Sequence, residues 1–169
     1  MSNITPENPD YWYNKDKYVI IGFSRCGTTA LSRYMHCSHP EIAYEGITDY
    51  YIKHYTNHQP VFLLRDPVEK LWSMYNYFLF FKNLSYDDFL NYSNKRDINI
   101  GGYDIIGQCD YEKYIEPFRK FNPIVYKLED MVKLPDYPSD PRGKNTKKVD
   151  PQFRTIVLNR LEEKGITYG

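Results

Sequence analysis

Two kinds of apolar pattern alternate along the chain. "KYVIIGF" (17–23) and "QPVFLLRD" (59–66) are short, mostly apolar runs that stop at Gly, Ser or charge. Runs of that length suit central strands buried on both faces. Elsewhere apolar positions recur at helical spacing. Leu31, Tyr34 and Met35 share a face of a helix predicted over 28–37. Pro67 behind Asp66 is a favourable helix start, and "VEKLWSMYNYFLFF" carries that helix on, its apolar tail ending buried. Ser85 with Asp88 resembles a capping arrangement for "YDDFLNYS". A helix is predicted from about Asp110 to Lys120, and "QFRTIVLNRLEE" closes the chain as an amphipathic helix behind Asp150-Pro151. Further strands are predicted in "HPEIAYE" (39–45) and "NPIVYKLED" (122–130). Residues 1–16 form an N-terminal arm, while 94–107 and 134–148 carry loop composition.

Strands alternating with helices imply a single α/β domain over 17–169. Its sheet is expected to be mostly parallel, of about four to five strands, flanked by helices on both sides. Ligands of such sheets bind at the carboxyl ends of the strands, where "GFSRCGTT" and "LLRDP" both fall.

Composition narrows the class. With 41% hydrophobic and 26% charged residues in 169, the chain is expected to be soluble and globular. A formal net charge of zero does not imply a nucleic-acid surface. Three widely spaced cysteines argue against a disulfide framework and for a reducing compartment. There is no CxxC pair, no apolar signal-peptide core and no run long enough to span a bilayer. The eighteen tyrosines suit core or cleft walls. A compact, anchor-free chain of this composition fits a cytoplasmic protein of bacterial or viral origin.

The chemistry gathers at the first strand end. Gly22, four residues, Gly27, then Thr28 and Thr29 open like a phosphate-binding, P-loop-like turn, but Thr28 stands where a triphosphate loop has lysine. Such a turn gathers backbone N–H groups at the positive end of a helix dipole. Arg25 adds a fixed charged fork, and a phosphosulfate needs less charge neutralised there than a triphosphate. A phosphatase loop around Cys26 would need arginine six residues on, where Ser32 stands.

These residues resemble the sulfotransferases that use 3′-phosphoadenosine 5′-phosphosulfate. "GFSRCGTTAL" resembles their 5′-phosphosulfate loop. "LLRDPVEKLWSMYNYF" resembles their 3′-phosphate segment, with Ser73 eight residues after Arg65. "YEKYIEPFRKFNPIVYKLEDM" and "GKNTKKVDPQFRTIVLNRL" are similar, more weakly, to later stretches of the family. The resemblance covers roughly 17–165. Many members have lysine in place of Arg25, whereas tyrosylprotein sulfotransferases and related bacterial groups carry arginine.

The resemblance implies in-line sulfuryl transfer to a hydroxyl or amine, with adenosine 3′,5′-bisphosphate as product and no metal. Ser24, Arg25, Cys26, Gly27, Thr28 and Thr29 would hold the 5′ side, with Arg25 also stabilising the departing oxygen. Arg65 and Ser73 would hold the 3′-phosphate, and Arg142, Lys144 and Asn145 would fold over the nucleotide. Trp72 is expected in the core rather than under adenine. Glu45 is the first candidate for the base that takes the acceptor's proton; Asp49, His36, His39 and His54 compete. Sugars, lipids, phenols and peptide tyrosines all stay open as acceptors. The short chain also leaves open a homodimer partner that completes the acceptor site. A small kinase and a non-catalytic nucleotide-binding remnant are the rival readings.

Overall fold

In a computed structural model of the chain, residues 17–23, 25–42, 46–93, 105–138 and 148–168 are described, with the backbone alone over 38–42. The strands β1 (Tyr18–Gly22), β2 (Ser38–Ile42), β3 (Gln59–Leu64) and β4 (Ile124–Lys127) make one parallel sheet in the order β2-β1-β3-β4. The helices are α1 (Thr28–Met35), α2 (Ile47–His54), α3 (Pro67–Tyr77), α4 (Tyr86–Leu90), α5 (Tyr111–Ile115), α6 (Leu128–Met131) and α7 (Pro151–Glu163).

The unbroken apolar runs are explained by cover on both faces of the sheet. Ile20, Val61 and Leu63 pack on one face with Leu31 of α1, Cys37 and Met131 of α6. Val19, Ile21, Phe62 and Leu64 pack on the other with Ile47 and Tyr51 of α2 and Tyr111, Tyr114 and Ile115 of α5. A further cluster joins α3, α4 and α7 through Val68, Leu71, Trp72, Phe89, Phe153, Val157 and Leu161. Trp72 lies in that core, its ring 4.9 Å from Phe153, as the sequence leads one to expect. Three helices begin on a side chain that accepts a first-turn N–H: Asp66 for α3, Ser85 for α4 and Asp150 for α7.

Several boundaries differ from expectation. Helix α1 stops at Met35, because His36 turns left-handed (φ 53°) and Ser32 Oγ donates to the Cys37 carbonyl (2.7 Å). The helix expected over 110–120 is α only to Ile115 and continues as a 3-10 turn, Glu116–Phe121. Pro117 has no N–H to give the Lys113 carbonyl and its ring crowds that group. The strand expected over 122–130 is confined to Ile124–Lys127, and Leu128–Met131 turns helical with Glu129 and Asp130 in its first turn. The aromatic tail after α3 is a 3-10 turn, Leu79–Phe81, in which only Phe81 is buried; Leu79 and Phe80 are exposed. Ile105 and Ile106, expected in a loop, are core residues. The arm 1–16, residues 94–104 and residues 139–147 lie outside the described residues. No helix among the described residues is long and apolar enough to cross a membrane.

Candidate functional site

From β1 the chain crosses to β2 on one side, whereas from β3 it proceeds to β4 on the other. β1 and β3 are neighbours in register, Ile21 beside Phe62. Their carboxyl ends therefore flank the point where the winding reverses, the crevice at which open parallel sheets bind ligands. The loop after β1 and the Arg65-Asp66-Pro67 turn after β3 both open there.

The loop after β1 is held by two left-handed residues. Arg25 has φ 62° and Gly27 φ 90°. A Cβ on Gly27 would also sit 3.3 Å from Leu128 Cδ1. Gly22 serves differently: a Cβ there would meet Thr28 Cγ2 at 2.9 Å, so its bare backbone lets the helix close onto the strand end. The Cys26 N–H is used inside the turn, donating to the Phe23 carbonyl (3.1 Å). The cap position of α1 is Gly27, which has no side chain to cap it. The N–H groups of Thr28 and Thr29 precede the first intrahelical bond, Leu31 N–H to the Gly27 carbonyl (3.3 Å), and lie at the end of α1 that adjoins the crevice.

The arginine of the loop and the serine of α3 meet. Arg25 Nε donates to Ser73 Oγ (3.1 Å), and the Arg25 guanidinium lies 4.0 Å from the centre of the Tyr77 ring. Arg65 Nη1 donates to the Arg25 carbonyl (2.9 Å), which helps hold that residue in its left-handed conformation. Behind it, Tyr111 Oη donates to the Arg65 carbonyl (2.6 Å) and lies 3.8 Å from Cys26 Sγ. Asp66 caps α3 through Val68 N (2.8 Å), and the Asp66 N–H is itself bound by Glu129 Oε1 (2.7 Å). Tyr168 Oη donates to the other Glu129 oxygen (2.6 Å).

Electrostatics follow from burial and these contacts. Burial pushes the Cys26 thiol up, against the opposing charge of Lys70, the Tyr111 hydroxyl and the charge of Arg65. It also lifts the Tyr111 hydroxyl well above its ordinary range. Both groups are neutral near pH 7, so Cys26 is a packing residue of the loop rather than a thiolate nucleophile. Partial burial raises Glu129, but the hydrogen bonds from Tyr168 and Asp66 N outweigh it and leave the carboxyl below its usual value.

Of the residues expected at the site, Arg25, Cys26, Gly27, Thr28, Thr29, Arg65 and Ser73 fall in this one region. Ser24, Glu45, Arg142, Lys144 and Asn145 lie outside the described residues, as does the side chain of His39. Asp49 is exposed in the first turn of α2, on the same edge as the loop. His36 ends α1, eight residues and so about 12 Å from its amino end. His54 is the last residue of α2, ring to ring with Tyr50 (4.6 Å). Neither histidine shares the edge that carries the loop. Sequence reasoning missed Tyr77, Tyr111 and Glu129. For Glu129 one signal existed, a carboxylate directly after a strand whose carboxyl end faces the crevice. Comparison with family models, with curated proteins and with solved structures gives no match.

Proposed function

We propose that this protein is a sulfotransferase that takes the sulfuryl group of 3′-phosphoadenosine 5′-phosphosulfate to a hydroxyl or amine acceptor on a P-loop-like scaffold. The reading is carried by one observation: Arg25 of the first motif touches Ser73 of the second, across the neighbouring ends of β1 and β3. The two segments that the resemblance assigns to the two phosphate ends of one nucleotide thus converge, although 48 residues separate Arg25 from Ser73.

The residues fit an anion of this kind. The first turn of α1, entered through Gly27 and carrying Thr28 and Thr29, offers N–H and hydroxyl donors to the 5′ side. Arg65 and Ser73 offer a guanidinium and a hydroxyl to the 3′-phosphate. The nucleotide, when bound, supplies a sulfuryl group whose leaving group is already a phosphate, so no metal is needed in principle. The role of Arg25 is to hold positive charge where negative charge develops, a contribution worth on the order of 10²–10³ in rate. The base is Glu45 or, from its place in α2, Asp49.

Calorimetry with adenosine 3′,5′-bisphosphate and with ATP-magnesium tests the reading. The bisphosphate binds, ATP-magnesium binds more weakly, and Arg65→Ala with Ser73→Ala together abolish most of the affinity. Preference for ATP-magnesium points to the kinase reading instead. Transfer of labelled sulfate to sugar, phenol, lipid and peptide acceptors then separates an enzyme from a nucleotide-binding remnant.

A further inference from the structure

Lys70 takes no part in the contacts described so far. It is 0% exposed, and its Nζ has no hydrogen-bond partner among the described residues. An ammonium withdrawn from water without a partner is costly, and lysine is almost never buried in full unless it is paired. A fold that keeps such a group has a use for the charge or a partner yet to arrive.

Its position says what kind of partner. Lys70, Ser73 and Tyr77 are spaced i, i+3, i+7 on α3 and so form one stripe. Ser73 and Tyr77 both touch the Arg25 side chain. Lys70 is the member of that stripe one turn nearer the amino end of α3, next to the Arg65-Asp66-Pro67 turn. The opposite stripe, Val68, Leu71, Trp72 and Tyr75, packs into the cluster with α4 and α7. At roughly 100° per residue Lys70 lies about 140–160° from Val68, Trp72 and Tyr75 but only about 40° from Met74, so it borders that core at Met74, while Ser73 and Tyr77 of its own stripe meet the loop through Arg25. In keeping with this, the Lys70 charge is felt at Cys26, inside the loop, more strongly than that of Arg65.

We propose that Lys70 is the resident cation of the anion site: from α3, its ammonium holds the phosphate or sulfuryl oxygens that a lysine at the place of Thr28 would otherwise hold. The inference rests on the loop being a phosphate cradle, and it answers why the loop can do without its own lysine. The ligand class is a phosphate-ester or phosphosulfate anion, with pyrophosphate as the simplest probe.

The test is calorimetry of the whole chain with pyrophosphate and with adenosine 3′,5′-bisphosphate, on wild type, Lys70→Met and Lys70→Arg. Lys70→Met weakens both ligands about tenfold to a hundredfold, the loss expected for one charged hydrogen bond. The same variant, free of ligand, unfolds at the wild-type temperature or above, because an unpaired buried charge has been replaced by an apolar chain of similar length. Lys70→Arg keeps part of the affinity. Wild-type affinity in Lys70→Met overturns the role of Lys70 and leaves the nucleotide reading standing. Pyrophosphate binding that depends on Lys70, without bisphosphate binding in any form, supports Lys70 and sinks the sulfotransferase reading. Failure of wild type to bind either anion overturns both. Should Lys70→Met not fold, the ¹⁵Nζ resonance of Lys70 in wild type decides: a shift on adding pyrophosphate supports the assignment, and an unmoved resonance overturns it.

Discussion

At the scale of single residues, the loop after β1 stores strain at Arg25. A non-glycine residue at φ 62° costs on the order of 1 kcal/mol, and it persists here because three contacts hold it: its carbonyl by Arg65, its Nε by Ser73 and its guanidinium by Tyr77. Strain and charge can be separated by two substitutions. Arg25→Ala and Arg25→Gly both remove the side-chain contacts, but only glycine relaxes the left-handed backbone. Urea denaturation should find Arg25→Gly about 1 kcal/mol more stable than Arg25→Ala, while the proposed sulfuryl transfer, which needs the guanidinium, should be lost in both alike. Equal stability of the two would mean that the turn opens once the side chain is gone.

At the scale of elements, the pivotal joint is the one that sets α3 against the sheet. Asp66 caps the helix, and Glu129, just beyond β4, grips the Asp66 N–H while accepting from Tyr168. A glutamine at 129 offers one acceptor oxygen where two are used, so Glu129→Gln should cost about 1–2 kcal/mol at pH 7. The pH dependence has a definite sign. Glu129 is held below its ordinary value of 4.5, so its contribution is present above that value and is lost as pH falls through the lower folded value. The stability gap between wild type and Glu129→Gln should therefore be widest near neutrality and close below about pH 4.5. A gap that stays constant across that range would show that Tyr168 and Asp66 do not depend on the carboxylate. This joint also marks where the sequence ceases to be legible. β1, β3, α3 and α7 are announced locally, by unbroken apolar runs, by Pro at the first helical position and by the Asp before it. Arg25, Arg65 and Ser73 are legible as parts of motifs. Tyr111 is not, because it acts on a backbone group 46 residues away and leaves no local pattern; Glu129 is legible only as a carboxylate just past a strand, not as the partner of Asp66, 63 residues away. The end of β4 is illegible for a related reason: "LED" can continue a strand or open a helical turn, and the choice falls where Glu129 reaches Asp66. The break of α5 was within reach, since Pro117 stands in the sequence.

At the scale of the whole molecule, α3 stands between the candidate site and a core cluster apart from the sheet. One of its stripes faces the loop, and the other meets α4 and α7, chiefly through Trp72 and Tyr75 against Phe153. Phe153 is 0% exposed, with Tyr86, Phe89 and Trp72 also ringed about it at 4.9–6.2 Å. Truncating it leaves a cavity on the side of α3 remote from Ser73 and Lys70. Phe153→Ala should cost about 3–5 kcal/mol of stability, the usual penalty for emptying an aromatic site in a packed core. Because the sheet and the loop are built from the other clusters, the fraction that stays folded should bind the proposed ligand, adenosine 3′,5′-bisphosphate, within about threefold of wild type, a coupling below roughly 0.7 kcal/mol. Denaturation with and without the nucleotide measures both quantities, since ligand stabilises only the folded state. A loss of affinity matching that of Ser73→Ala, measured where Phe153→Ala is still folded, would mean that α7 fixes the rotation of α3 and so belongs to the site as much as the loop does.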